Sequence, residues 1–117
     1  QYAHARIASI IRHAGALGID FAEADLSVLS SPEEIGLMKA LATFPDTVES
    51  CAQTFEPHRL IEYLHEAAGA FHKFYHAHRV VSEDMKVTAA RMTLALATKI
   101  VVGNGCTVLG ISAPDTM

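Results

Sequence analysis

Residues 57–80 read PHRLIEYLHEAAGAFHKFYHAHRV, and the spacing within this stretch decides the fold class. Pro57 suits the first turn of a helix, where its missing N–H would have no partner in any case. Only Gly69 then interrupts a run of residues that a helix tolerates. At about 100° per residue, with Phe71 as the origin, Leu60, Leu64, Ala67, Phe74 and His78 fall within roughly 60° of it. That is a core stripe. Tyr75 lies about 40° to one side, and Arg79, His72 and His76 continue around that flank at roughly 80°, 100° and 140°. Glu62, Glu66, Gly69 and Lys73 form the opposite, solvated face. A helix with one apolar face needs other elements to bury it, and the rest of the chain supplies more helices.

Working outward, residues 2–16 place Ala3, Ile7, Ile10, Ile11 and Ala14 at helical spacing, with Gly15 and Gly18 ending the pattern. Residues 19–30 are acidic and read as a loop with at most a short helical turn. Ser31-Pro32-Glu33-Glu34 is a helix start, with Ser at the N-cap, Pro at N1 and Glu34 at N3 closing a capping box. That helix should run to about Thr43. Pro45 begins another that passes through Val48, Cys51 and Ala52 to about Thr54. After the Pro57 helix, which should reach Val80, Ser82-Glu83-Asp84 caps a last long helix with Val87, Ala90, Leu94, Ala97 and Val101 on one stripe. Asn104-Gly105 reads as its C-cap, and the tail from Cys106 is apolar and then turn-like at Ser112-Ala113-Pro114. No stretch alternates as a strand does. The expectation is an all-α bundle of about five helices, forming one domain over residues 1–117.

Composition agrees. Of 117 residues half are apolar and 19% are charged, the profile of a globular helical domain with one core. No bare apolar run approaches the roughly 20 residues that span a bilayer, so no membrane partner is expected. The N-terminus, with His4, Arg6, Arg12 and His13, lacks the apolar block of a signal peptide. Gln1 reads straight into a helix, as in a piece of a longer protein. Cys51 and Cys106 fit no CxxC pattern and read as small buried residues. The net charge of −4 is unlike that of a generic nucleic-acid binder. Its distribution is uneven: residues 20–49 hold seven acids and one base, whereas residues 1–14 hold two arginines and no acid. Residues 57–105 hold six basic residues, four acidic ones and five histidines. A cationic surface must therefore come from the two ends of the chain.

The flank carrying Tyr75, Arg79, His72 and His76 is the stretch with chemical content. Unstacked bases lie on an aromatic face or a guanidinium plane while polar groups read their edges. The same residues also fit plain roles: a border tyrosine with its hydroxyl in water, and an arginine complementing a helix C-terminus. His72 and His76 have the four-residue spacing of zinc-binding helices, but no Glu lies between them and no third ligand has an obvious position, so no metal is expected. Glu62 and Glu66 read as solubilising. There is no phosphate-binding glycine loop and no Ser/His/Asp arrangement, so no catalytic residue is expected.

Four blocks occur in order: Gln1-Tyr2-Ala3-His4-Ala5-Arg6; Phe55-Glu56-Pro57-His58-Arg59-Leu60; Phe71-His72-Lys73-Phe74-Tyr75 followed by Arg79-Val80; and Leu109-Gly110-Ile111-Ser112-Ala113-Pro114-Asp115-Thr116-Met117. Together they resemble the C-terminal helical domain of arginyl-tRNA synthetases, the DALR anticodon-binding domain, over essentially the whole chain. The resemblance implies a parent enzyme that attaches arginine to tRNA in the cytoplasm, using ATP and magnesium through a catalytic domain expected before residue 1. Neither of that domain's signature motifs is present here, and no cofactor is implied for this domain itself. The implied partners are the anticodon loop of tRNA-Arg and the catalytic domain of the same chain. Carried over by position, Tyr75 resembles the family's stacking tyrosine, Arg79 its nearby polar contact, and Met117 the terminal residue that closes on the loop. Phe71 and His72 are candidates at the pocket edge. Tyr2 and Arg6 match the start of the domain and equally suit packing against the catalytic domain. Asp115-Thr116 stands where many members have Glu-Arg, and Gly103 where a Lys often precedes Asn-Gly; both changes remove cations. A second reading is a helical protein-interaction domain whose acidic segment, residues 20–49, docks a basic partner.

Overall fold

The computed structural model describes residues 1–16, 18 and 24–115. Among these, five α-helices and one short 3₁₀ turn follow in order: α1 (Tyr2–Ala16), the turn at Leu26–Val28, α2 (Pro32–Ala42), α3 (Phe44–Thr54), α4 (Pro57–Ala77) and α5 (Met85–Leu109). No strand occurs among the described residues. The all-α expectation therefore holds, and the differences lie in where helices stop and which faces they bury.

The starts follow local chemistry. Asp25 caps the 3₁₀ turn, accepting from the Ser27 backbone N–H at 3.0 Å and the Ser27 hydroxyl at 2.7 Å. These bonds favour the ionised carboxylate and lower its pKa. Ser31 and Glu34 close the capping box at α2, each bonding the other's backbone N–H at 3.1 Å. Between α2 and α3 the only break is Thr43, whose hydroxyl donates back to the Ala40 carbonyl at 2.9 Å. Pro45 follows in the first turn of α3; having no N–H, it cannot continue the ladder of α2. Phe55 ends α3 in the left-handed region at φ 55°.

The end of α5 departs from the sequence reading. Asn104-Gly105 does not cap the helix, which continues four residues further to Leu109 and closes at Gly110, φ 74°. The Ile111 N–H bonds the Cys106 carbonyl at 2.8 Å. Gly103 and Gly105 serve close packing instead. A Cβ at Gly105 would fall 2.5 Å from a Leu64 methyl, and one at Gly103 would fall 3.3 Å from His4 Nε2. Nor does α5 present a single stripe. Thr88, Met92, Ala95, Thr98 and Val102 are buried alongside Ala90 and Leu94, while Val87, Ala97 and Val101 are only partly covered. The reason is its central position, touching α1, α2, α4 and the 3₁₀ turn. Among the described residues α5 is the one helix long and apolar enough, by length and mean hydropathy, to cross a membrane, although Lys86, Arg91 and Lys99 interrupt its apolar run. Here it is the core helix, and Thr88 and Thr98 bury their hydroxyls on Ser82 and on the Leu94 carbonyl.

Helix α4 buries Leu60, Tyr63, Ala67, Phe71 and Phe74. Tyr63, off the expected stripe, donates its hydroxyl to the Ala40 carbonyl at 2.6 Å and packs on Phe44, ring centroids 5.8 Å apart. Burial raises its phenol pKa. Leu64 and His78 are half-buried. The helix ends at Ala77, three residues before Val80, because His78 turns to an extended conformation with φ −136° and ψ 145°. Arg79 therefore lies on an irregular segment and not on the flank of α4.

Candidate nucleic-acid interface

A cleft of about 550 Å³ opens between α1 and the end of α4, lined by Ser9, Ile10 and His13 on one side and by Tyr75 and residues 78–81 on the other. Tyr75 and Arg79, placed together by the helical wheel, do share this cleft, although by a different route. Tyr75 comes from the last turns of α4, and Arg79 from the extended chain after it. The Tyr75 ring is half-buried and stacks near-parallel on Phe71, with centroids 6.0 Å apart and planes 19° apart. Among the described residues no carboxylate lines the cleft.

Arg6 is the residue that sequence reasoning undervalued. Its guanidinium lies over the Tyr75 ring, 5.1 Å from the centroid, and one nitrogen donates to the Tyr2 hydroxyl at 3.3 Å. The Tyr2 hydrogen bond, helped by Tyr75, raises the Arg6 pKa. The signal was available: Tyr2, Arg6, Ser9 and His13 recur at helical spacing, cluster within about 60° on α1, and are all exposed. The outcome is one polar surface, with α1 contributing Tyr2, Arg6, Ser9 and His13 and the end of α4 contributing Tyr75 and Arg79.

The other site candidates separate. Phe71 is fully buried and cannot touch a ligand; it belongs to the core and backs the Tyr75 ring. His72 faces a second cleft of about 360 Å³, with Tyr2, Leu64, Cys106 and Ile111 among its lining. Its ring meets Phe71 edge-on at 6.2 Å. His76 is exposed and meets Tyr75 edge-on at 6.5 Å. Met117 and Thr116 lie outside the described residues. The tail before them runs beside α1: Gln1 Nε2 donates to the Ser112 carbonyl at 2.9 Å, His4 Nδ1 to the Pro114 carbonyl at 2.9 Å, and Arg12 to the Asp115 carbonyl at 3.3 Å. Lys99 pairs with the Asp115 carboxylate at 3.5 Å. Gln1, His4 and Arg12 fall on a different side of α1 from Arg6, so the described tail leaves Tyr75 and Arg79 uncovered.

The acidic segment is partly committed inside the fold. Glu34, 3% exposed, receives a hydrogen bond from Arg91 Nε at 3.0 Å, and Glu33 lies 3.7 Å from His78 Nε2. Burial alone would raise the Glu34 pKa, but the hydrogen bonds from Ser31 and Arg91 more than offset it, and the net shift is downward. Of the described acids in residues 20–49, Glu33 and Glu34 thus face cations of this chain, whereas Asp25, Asp46 and Glu49 are exposed. Among the described residues no group of three His, Cys, Asp or Glu side chains is placed to hold a metal ion.

Comparison with known proteins gives the family and the fold. The family model described as the DALR anticodon binding domain matches residues 1–117. An arginine–tRNA ligase from Geotalea daltonii is 48% identical over 120 residues, covering the whole of this chain and 21% of that protein. One from Frankia alni is 45% identical over 123 residues, again covering the whole chain and 22% of that protein. The chain thus spans about a fifth of the length of these relatives. The solved Thermus thermophilus arginyl-tRNA synthetase superposes with a TM-score of 0.87 at 31% identity, over 99% of this chain and 20% of that one. The chain belongs to the DALR anticodon binding domain family.

Proposed function

We propose that this domain holds the anticodon loop of tRNA-Arg for a parent arginine–tRNA ligase. That parent attaches arginine to tRNA in the cytoplasm, using ATP and magnesium at a catalytic domain elsewhere in its chain. One observation carries the reading: Tyr75, a half-buried ring with the Arg6 guanidinium over it, and Arg79 line one open cleft, and none of its described lining residues is a carboxylate. An unstacked base enters the cleft and layers on the Arg6–Tyr75 pair, while Arg79 reads its edge. Guanidinium planes and aromatic rings serve equally as base platforms. On α1, Arg6 shares this side and meets the flanking phosphates, whereas Arg12 is tied to the tail at Asp115.

The test is Tyr75→Ala in the full ligase. Base stacking is worth about 1–3 kcal/mol, so KM for tRNA should rise about tenfold or more. KM for arginine, and kcat at saturating tRNA, should stay near wild type. An unchanged KM for tRNA in a folded variant would rule out Tyr75 as the platform.

A further inference from the structure

We infer that Arg91 is a positioning residue for the RNA site: it fixes the backbone at Arg79 against the capping box of α2. The inference rests on the reading of Tyr75 and Arg79 as the RNA contact. The chain leaves α4 at His78 in an extended conformation, so the carbonyl of Arg79 is not held by a helix. Arg91, from the second turn of α5, reaches it. Its Nη1 donates to the Arg79 carbonyl at 2.7 Å, its Nε to Glu34 Oε2 at 3.0 Å, and its Nη2 to His78 Nδ1 at 3.2 Å. Since His78 Nδ1 accepts, the ring proton sits on Nε2, which faces Glu33 at 3.7 Å.

Each part of this arrangement constrains the next. The capping box holds Glu34 by its bonds with Ser31, and the buried Glu34 carboxylate stays ionised to receive Arg91. A guanidinium is a rigid planar fork, so anchoring one edge on Glu34 fixes where the others point. What they meet are two of the residues that line the cleft beside Tyr75. A lysine at position 91 would put a single charge near Glu34 and leave the Arg79 carbonyl unheld.

The experiment is a double-mutant cycle on this chain. It measures affinity for a tRNA-Arg anticodon stem-loop, and for one with the central cytosine replaced, alongside thermal melts. Arg91→Lys should weaken binding of the cognate stem-loop about tenfold and narrow discrimination between the two RNAs, while the domain stays folded at the assay temperature. On an Arg79→Ala background, Arg91→Lys should change affinity less than about twofold, because nothing remains for it to position. An equal loss on both backgrounds overturns the proposal, since Arg91 would then act through general stability. So does an unchanged affinity in Arg91→Lys. Should that variant unfold, Glu34→Gln is the second arm: it neutralises the anchor, keeps Arg91, and should produce the same non-additive loss. If Tyr75→Ala also leaves stem-loop binding unchanged, the RNA reading itself fails, which is a separate outcome from additivity among variants that do respond.

Discussion

Arg91 and Glu34 form an ion pair that ties the start of α2 to the segment after α4. The Glu34 carboxylate is 4% exposed and the Arg91 side chain 15%, so deleting either partner leaves a charge with poor access to water. Such losses typically cost about 3–5 kcal/mol. Arg91→Met should lower stability by roughly 3 kcal/mol in denaturant titration; a change below about 1 kcal/mol would mean the pair is better hydrated than its burial indicates. The same pair has a pH signature. The folded-state pKa of Glu34 is depressed below its ordinary 4.5, so its contribution is complete above that value and is lost as pH falls through the folded-state value. The melting temperature should therefore drop on acidification below about pH 4.5, and Glu34→Gln should flatten that part of the profile. Tyr75 could be found in the sequence because helical spacing groups side chains by direction; Arg79, beyond the end of α4, reaches the same cleft through the extended turn at His78. Arg91 could not be found that way: its partners are 57 residues away in α2 and 12 away in the backbone of Arg79, and periodicity carries no information about such pairs.

At the scale of elements, two glycines within helices have opposite roles. Gly69 in α4 has nothing within 4 Å of an added Cβ, whereas Gly105 in α5 has Leu64 at 2.5 Å. Gly69→Ala should stabilise the domain by about 0.5–1 kcal/mol, the helix propensity gain. Gly105→Ala should fail to give that gain, because overpacking costs about 1–3 kcal/mol; parallel melts of the two variants decide it. This pair also explains how the sequence misled about α5. Asn-Gly is a legitimate helix stop on local grounds, and only the approach of α4 reveals that the glycine makes room for a neighbour. Capping chemistry is local, and so the Ser31–Glu34 box was legible to the residue. The early end of α4 was not, since the extended turn at His78 is held by Arg91 from another helix.

For the whole molecule, net charge understates what the surface offers. The chain carries −4 overall, yet Glu33 and Glu34 face His78 and Arg91, while one exposed side of α1 and the segment after α4 hold Arg6, His13 and Arg79. Binding to an anticodon stem-loop should weaken with salt, with a slope reflecting about two to three phosphate contacts at roughly 0.7 per contact for single strands. A salt-independent affinity would show that the cations of α1 do not meet the backbone. The fold class and the family were legible from the whole chain because four separate blocks fell in register. The working surface was only half legible: the sequence pointed to the α4 side, and the α1 side emerged when Arg6 was found over Tyr75.

The most direct measurement is an NMR titration of this domain with the tRNA-Arg anticodon stem-loop, in parallel with one whose central cytosine is replaced. Shifts that cluster at Arg6, Tyr75 and Arg79, and are lost with the replaced base, are the predicted result. Shifts that spread over α2 and α3 instead, or that are identical for the two RNAs, would contradict the assignment of this surface to anticodon reading.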